Sequence, residues 1–203
     1  MLAALGKRVL ITSYTHSAVD NCLLKLIESK AASVDGEKCT PAVVRIGEKS
    51  SVHPDVQPLL VTKLAANYEG LDEGGSESPS AESLRKVIRG AQIVGVSTLK
   101  IPKCSLLVAE HFDVVIVDEA GQITQPALLG ALAAADSFVL VGDHMQLPPL
   151  VSSESALEGG KSNPVETSSM SLFFFNTALL NSVHCHEIAF CPRLRRIDVK
   201  APR

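Results

Sequence analysis

The segment that most constrains this chain is FDVVIVDEAGQ, Phe112 to Gln122. Four consecutive apolar residues, Val114 to Val117, predict a strand buried on both faces, as strands of a parallel sheet are. Two adjacent carboxylates, Asp118 and Glu119, follow where the strand emerges. In open α/β sheets ligands collect outside the carboxyl ends of the strands. A nucleotide hydrolase needs one carboxylate there to hold Mg²⁺, usually through its waters, and a second to orient and deprotonate the attacking water. Asp118 suits the first role and Glu119 the second, although two solvated acids opening a loop give the same local pattern.

Phe138 to Pro149, FVLVGDHMQLPP, repeats this grammar: an apolar strand, a glycine, then polar side chains. Gly142 permits the tight exit that Asp143 and Gln146 need to face the same sheet edge as Asp118 and Glu119. Pro148 and Pro149 stop any helix and stiffen the segment after them. Further strands are predicted at Arg8 to Thr12, Val43 to Ile46 and Gln92 to Ser97. Between the first two, Val19, Cys22, Leu23, Leu26 and Ile27 fall at helical spacing in a helix over Ala18 to Glu28, with Ser17 as its cap. Alternating strands and helices imply α/β architecture with a mainly parallel sheet and flanking helices.

With 203 residues and 46% hydrophobic composition, the chain has material for one sizeable core. A net charge of -3 excludes a global basic field, so any contact with nucleic acid must be local. Five scattered cysteines without a secretory leader favour reduced thiols in the cytoplasm or nucleus. No apolar run approaches the roughly 18 to 20 residues of a membrane span. Residues 67–83, rich in Glu, Gly, Ser and Pro, are expected to be a flexible insertion, and 152–170 a linker. The remaining 171–203 match no known pattern. Within them, His184, Cys185, His186 and Cys191 are soft metal ligands whose spacing fits no common zinc module.

DEAGQ and VGDHMQLPP, in this order, resemble motifs II and III of superfamily 1 helicases, in the branch that includes the RNA-surveillance helicases. ITSYTHSAVDNCLLKL, Ile11 to Leu26, resembles motif Ia, in a form most similar to the helicase/nucleases of eukaryotic DNA replication. RIGEKSSVHPDVQP and GVSTL are similar to segments of the same family. The resemblance covers roughly residues 5 to 152 and implies a partial RecA-like P-loop NTPase domain over 1–151. It implies ATP and Mg²⁺ as cofactors, with Asp118 holding Mg²⁺ through water and Glu119 activating water. Gln122 and Gln146 would sense the γ-phosphate, with Gly142 and Asp143 beside the nucleotide. Thr15, His16, Ser17, Asn21 and Thr98 would contact a single strand, DNA by resemblance to the replication enzymes, with RNA as the alternative. Hydroxyls and amides at a helix N-terminus bind phosphates without high net charge. The same resemblance implies a nuclear location.

A P-loop requires GxxxxGK[ST] after its first strand. GKR at Gly6 to Arg8 lacks the hydroxyl and the preceding glycine. GGKS at Gly159 to Ser162 has Ser155 at the first glycine position and Pro164 shortly after. The expectation is therefore a motor segment that depends on a P-loop and further helicase parts beyond these residues and is inactive alone. A non-catalytic strand-binding or interaction segment is the rival.

Overall fold

The computed structural model describes residues 2–28, 41–71, 78–142 and 188–191. They form a six-stranded sheet of order β2-β3-β1-β4-β5-β6. The strands are β1 (Val9–Ser13), β2 (Val43–Ile46), β3 (Ile93–Ser97), β4 (Phe112–Asp118), β5 (Ala135–Val141) and β6 (Ile188–Cys191). The first five pair in parallel, and β6 runs antiparallel against β5. All five strands expected from the sequence are present. β4 and β5 start earlier than the apolar runs suggested, because Phe112 and Ala135 already pair with each other. The unexpected strand is β6, which lies in the stretch 171–203 that carried no expectation of structure.

Alternation along each strand divides the core into two layers. Leu10, Val94, Val115 and Phe138 lie in one register row and pack on one face with Ile88, Leu128 and Ala131. The opposite face gathers Val9, Ile11 and Ile93 with Val19 and Leu23. These last two belong to α1 (His16–Glu28), while Ile88 belongs to α3 (Ala81–Gly90) and Leu128 and Ala131 to α4 (Gln125–Leu132). Helices therefore cover both faces, and the buried double-sided strands follow from that arrangement. Gly95 pairs with both Ile11 and Arg45 and lies beneath α1. A Cβ there would stand 2.8 Å from Leu23 Cδ1 and 3.2 Å from Val19 Cγ1. Glycine is what lets α1 approach the sheet.

Two local expectations are revised. α1 begins at His16, not Ala18, and its cap is Thr15: the Ala18 N–H donates to Thr15 Oγ1 at 3.2 Å. A capping oxygen must reach an N–H two or three residues ahead, and Ser17, already in the first turn and exposed, is too late in the chain to do so. The stretch 67–83 is not wholly irregular either. α2 (Val61–Glu69) runs into it and α3 begins inside it. Glu69 closes the gap by accepting hydrogen bonds from the Ser80 N–H at 3.2 Å and from the Ser80 and Ser83 hydroxyls. Those bonds hold its carboxyl below the usual glutamate range. The linker 152–170, Asp143, Gln146, His184, Cys185 and His186 lie outside the described residues.

Candidate active site at the carboxyl edge of the sheet

Because five strands run parallel, Ser13, Ile46, Ser97, Asp118 and Val141 all end at one edge. Register then decides which side chains become neighbours. Ser13 is paired with Asp118 on one side and with Ser97 on the other, so the end of β1 sits between the carboxylate-bearing strand and the strand leading to Thr98. Gly142 follows β5 at the same edge, one strand beyond Asp118.

Asp118 is half-buried, and its two carboxylate oxygens are used differently. Oδ1 accepts the Glu119 N–H at 3.0 Å, and Oδ2 accepts the Cys22 thiol at 3.4 Å. Burial first, and then the neighbouring Asp118 charge, push the Cys22 thiol up to about 12. The thiol therefore stays protonated and remains a donor at neutral pH. Each carboxylate oxygen carries two lone pairs, so one accepted bond apiece leaves acceptor capacity for water. That donor set suits Mg²⁺, which keeps several waters and needs only one or two carboxylates besides a substrate's phosphates. Among the described residues no group of three or more His, Cys, Asp or Glu forms a dedicated metal cage.

Glu119 is the one non-glycine residue with positive φ among the described residues, at φ 53° and ψ 36°. Such a backbone costs energy and persists where its surroundings over-determine it. Here the surroundings are visible. The next residues, Ala120–Gln122, turn as a 3₁₀ helix whose Gln122 N–H donates to Glu119 O at 2.9 Å. The Glu119 carboxylate reaches back to β1 and the loop after it, where Oε2 accepts the Ser13 hydroxyl at 3.3 Å and the Thr15 hydroxyl at 3.4 Å. Gln122 is half-buried beside this turn.

The residues expected to contact a strand separate into three groups. Ser17 and Asn21 are exposed on α1, and Thr15 and His16 are half-buried at its start. Thr98, by contrast, is fully buried. Its hydroxyl donates to Ser13 O at 3.0 Å and meets the Thr12 hydroxyl at 2.9 Å. Thr98 thus braces β1 against β3 and does not present its side chain to a strand in this structure. His16 stands 3.4 Å from an Arg45 Nη2, and burial together with Arg45 lowers its pKa.

Arg45 and Asp20 are the elements that sequence reading passed over. Arg45 Nε donates to Asp20 Oδ1 at 2.7 Å, with the two side chains 0% and 3% exposed. Arg45 Nη1 also donates to Ile46 O at 2.8 Å, and Asp20 Oδ2 accepts the His53 N–H at 2.8 Å. The pair fixes α1 to β2 and to the turn beginning at Pro54, and so fixes where Thr15 to Ser17 stand. Asp20 lies near the start of α1, where an acidic residue by itself gives no sign of a buried partner. Only the outlying Arg in an otherwise apolar strand, VVRI, gave a signal that β2 holds a buried partner.

The chain is similar in sequence to known proteins. Residues 62–154 match an AAA domain family. The chain is 39% identical over 161 residues to the DNA replication ATP-dependent helicase/nuclease of Saccharomyces cerevisiae, covering 79% of this chain and 9% of that protein. It is 40% identical over 162 residues to the counterpart from Xenopus laevis and 38% identical over 162 residues to that from Homo sapiens, covering 80% of this chain and 14% of each relative. The chain therefore spans between 9% and 14% of the length of these relatives.

Proposed function

We propose that this chain is a segment of a superfamily 1 helicase of the DNA replication helicase/nuclease type, and that it supplies the hydrolytic edge and part of the strand-contacting surface of an ATP-driven motor on single-stranded DNA. The observation that carries this reading is the Asp118–Glu119 pair at the end of β4, with Glu119 hydrogen-bonded to Ser13 and Thr15 at the start of the loop that leads into α1. In this reading Asp118 holds Mg²⁺ through water, and Glu119 orients and deprotonates the water that attacks the γ-phosphate. ATP and Mg²⁺ are the cofactors of this reading, and the 203 residues hold no GxxxxGK[ST] pattern of their own to grip the phosphates. Gln122 lies on the turn after Glu119, where it senses the γ-phosphate, Gly142 follows β5 on the nucleotide side, and Asp143 and Gln146 are assigned to the nucleotide from their sequence motif alone. Thr15, His16, Ser17 and Asn21 meet the backbone of the strand. The cell compartment of such a motor is the nucleus. Among the described residues no helix is long and apolar enough to cross a membrane.

The test is to place the matched residues of this chain into the Saccharomyces cerevisiae relative and measure strand-stimulated ATP hydrolysis. Glu119→Gln is expected to lower turnover by about 10²- to 10⁴-fold, the usual worth of a general base. Undiminished hydrolysis by that variant sinks the reading. The 203-residue chain alone is expected to turn over little or no ATP, since positioning of the γ-phosphate is most of the catalysis in this chemistry. Competition between oligothymidylate and oligouridylate for the chain distinguishes DNA from RNA as its strand.

A further inference from the structure

A run of hydroxyls connects the exposed start of α1 to the Glu119 carboxylate. Ser17 Oγ, on the exposed first turn, donates to Thr15 Oγ1 at 3.4 Å. Thr15 Oγ1 in turn donates to Glu119 Oε2 at 3.4 Å, and the buried Ser13 hydroxyl donates to that same oxygen at 3.3 Å. Both donors therefore hold Oε2 and leave Oε1 for water. A hydroxyl has one proton and two acceptor lone pairs. At Thr15 all three are committed: the proton to Glu119, and the lone pairs to Ser17 and to the Ala18 N–H. Any ligand that draws the Ser17 hydroxyl toward itself changes what Thr15 accepts, and with it what Thr15 gives to Glu119. The left-handed backbone of Glu119 is part of the same arrangement, since it keeps the side chain directed to the end of β1.

We propose that Ser13 and Thr15 are positioning residues for Glu119, and that Thr15 transmits occupancy of the α1 start by a single strand to the base. This rests on the reading of Glu119 and the α1 start given above. Ser13 is the static half of the clamp, because its side chain is buried at the end of β1. Thr15 is the responsive half, because its hydroxyl belongs to the helix cap and to the clamp at once. Hydrolysis is thereby tied to strand binding through one side chain, without a movement of the sheet.

The full 203-residue chain, labelled with ¹⁵N and titrated to saturation with oligothymidylate, tests this directly. The expected result is amide shifts at Ser17 and Ala18 accompanied by a shift at Glu119. Thr15→Val keeps the shape and removes the hydroxyl, so the Glu119 shift is lost at saturating strand. Thr15→Ser, which retains donor and cap, restores it. Ser13→Ala leaves the Ser17 and Ala18 shifts in place and broadens or reduces the Glu119 response, because one of its two anchors is gone. Thermal melts of each variant separate loss of the signal from loss of the fold. A Glu119 amide that stays still while Ser17 and Ala18 move, or that moves equally in Thr15→Val, overturns the inference and leaves the functional reading standing. Absence of any shift with the strand removes the functional reading itself, and this inference with it.

Discussion

Asp20→Ala is the substitution whose cost follows most directly from the structure. It leaves the Arg45 guanidinium, 0% exposed, without its 2.7 Å carboxylate partner, and it strands the His53 N–H that Asp20 accepts at 2.8 Å. Breaking a buried ion pair from one side costs about 3 to 5 kcal/mol, because an uncompensated charge stays in the interior. Against a total stability of about 5 to 15 kcal/mol for a typical domain, that is a large share. At about 2 to 4 °C per kcal/mol for a chain of this size, the melting temperature falls by about 6 to 20 °C. The chain has no tryptophan, so guanidinium unfolding followed by far-UV circular dichroism is the suitable assay. The exposed Lys100–Glu48 pair, 3.3 Å apart, is the internal comparison. Glu48→Ala is expected to cost less than about 1 kcal/mol. Replacing both buried partners, Asp20→Leu with Arg45→Met, is expected to recover most of the loss, since an apolar pair of similar size carries no stranded charge. A loss below about 1 kcal/mol for Asp20→Ala would show that water reaches Arg45 and would refute the reasoning.

Four further outcomes follow from the same geometry. Gly95→Ala brings a Cβ to 2.8 Å from Leu23 Cδ1 beneath α1 and is expected to cost about 1 to 3 kcal/mol in thermal melts, the usual penalty for overpacking a tight core. His16, whose pKa is lowered first by burial and then by Arg45, should titrate below the ordinary histidine value of about 6.5 when followed by NMR. Its contribution to stability is therefore complete above that ordinary value and lost as the pH falls through the lower folded one. Being neutral at pH 7, His16 adds no charge to a strand complex, so His16→Ala should leave the salt dependence of oligothymidylate binding unchanged, and a slope reduced by about 0.7 would contradict this. Cys22, pushed up to about 12 by burial and the Asp118 charge, should alkylate at pH 8 at least about a hundredfold more slowly than an ordinary thiol of pKa near 8.5, as read by mass-spectrometric mapping of iodoacetamide adducts.

How much of this was legible beforehand depends on the range of the interactions. The parallel core was readable because short apolar runs, FDVVIVD and IVGVS among them, are what double-sided burial demands of a strand. The carboxylates were readable because their position at the end of such a strand is itself local information. Thr15 and Ser17 both stood out in the sequence, yet their roles are exchanged at the helix cap, since a cap differs from its neighbour by one residue of phase. The burial of Thr98 was not legible for a different reason: a threonine after a strand looks the same whether it faces solvent or a neighbouring strand, and only the register of β1 against β3 buries it against Thr12. The same holds for Ser13, paired with Asp118 from a distant part of the sequence, and for Arg45 with Asp20. Thr98, Ser13 and Arg45 are alike in having partners distant in the sequence, which the order of the strands and the packing of α1 on them bring close. A carboxylate at a strand end announces where chemistry is possible, while the hydroxyls that hold it are chosen by which strand lies next door. Here the strand next door is the one that opens into α1, so the carboxylate-bearing edge and the loop that starts α1 are neighbours by topology before any ligand arrives.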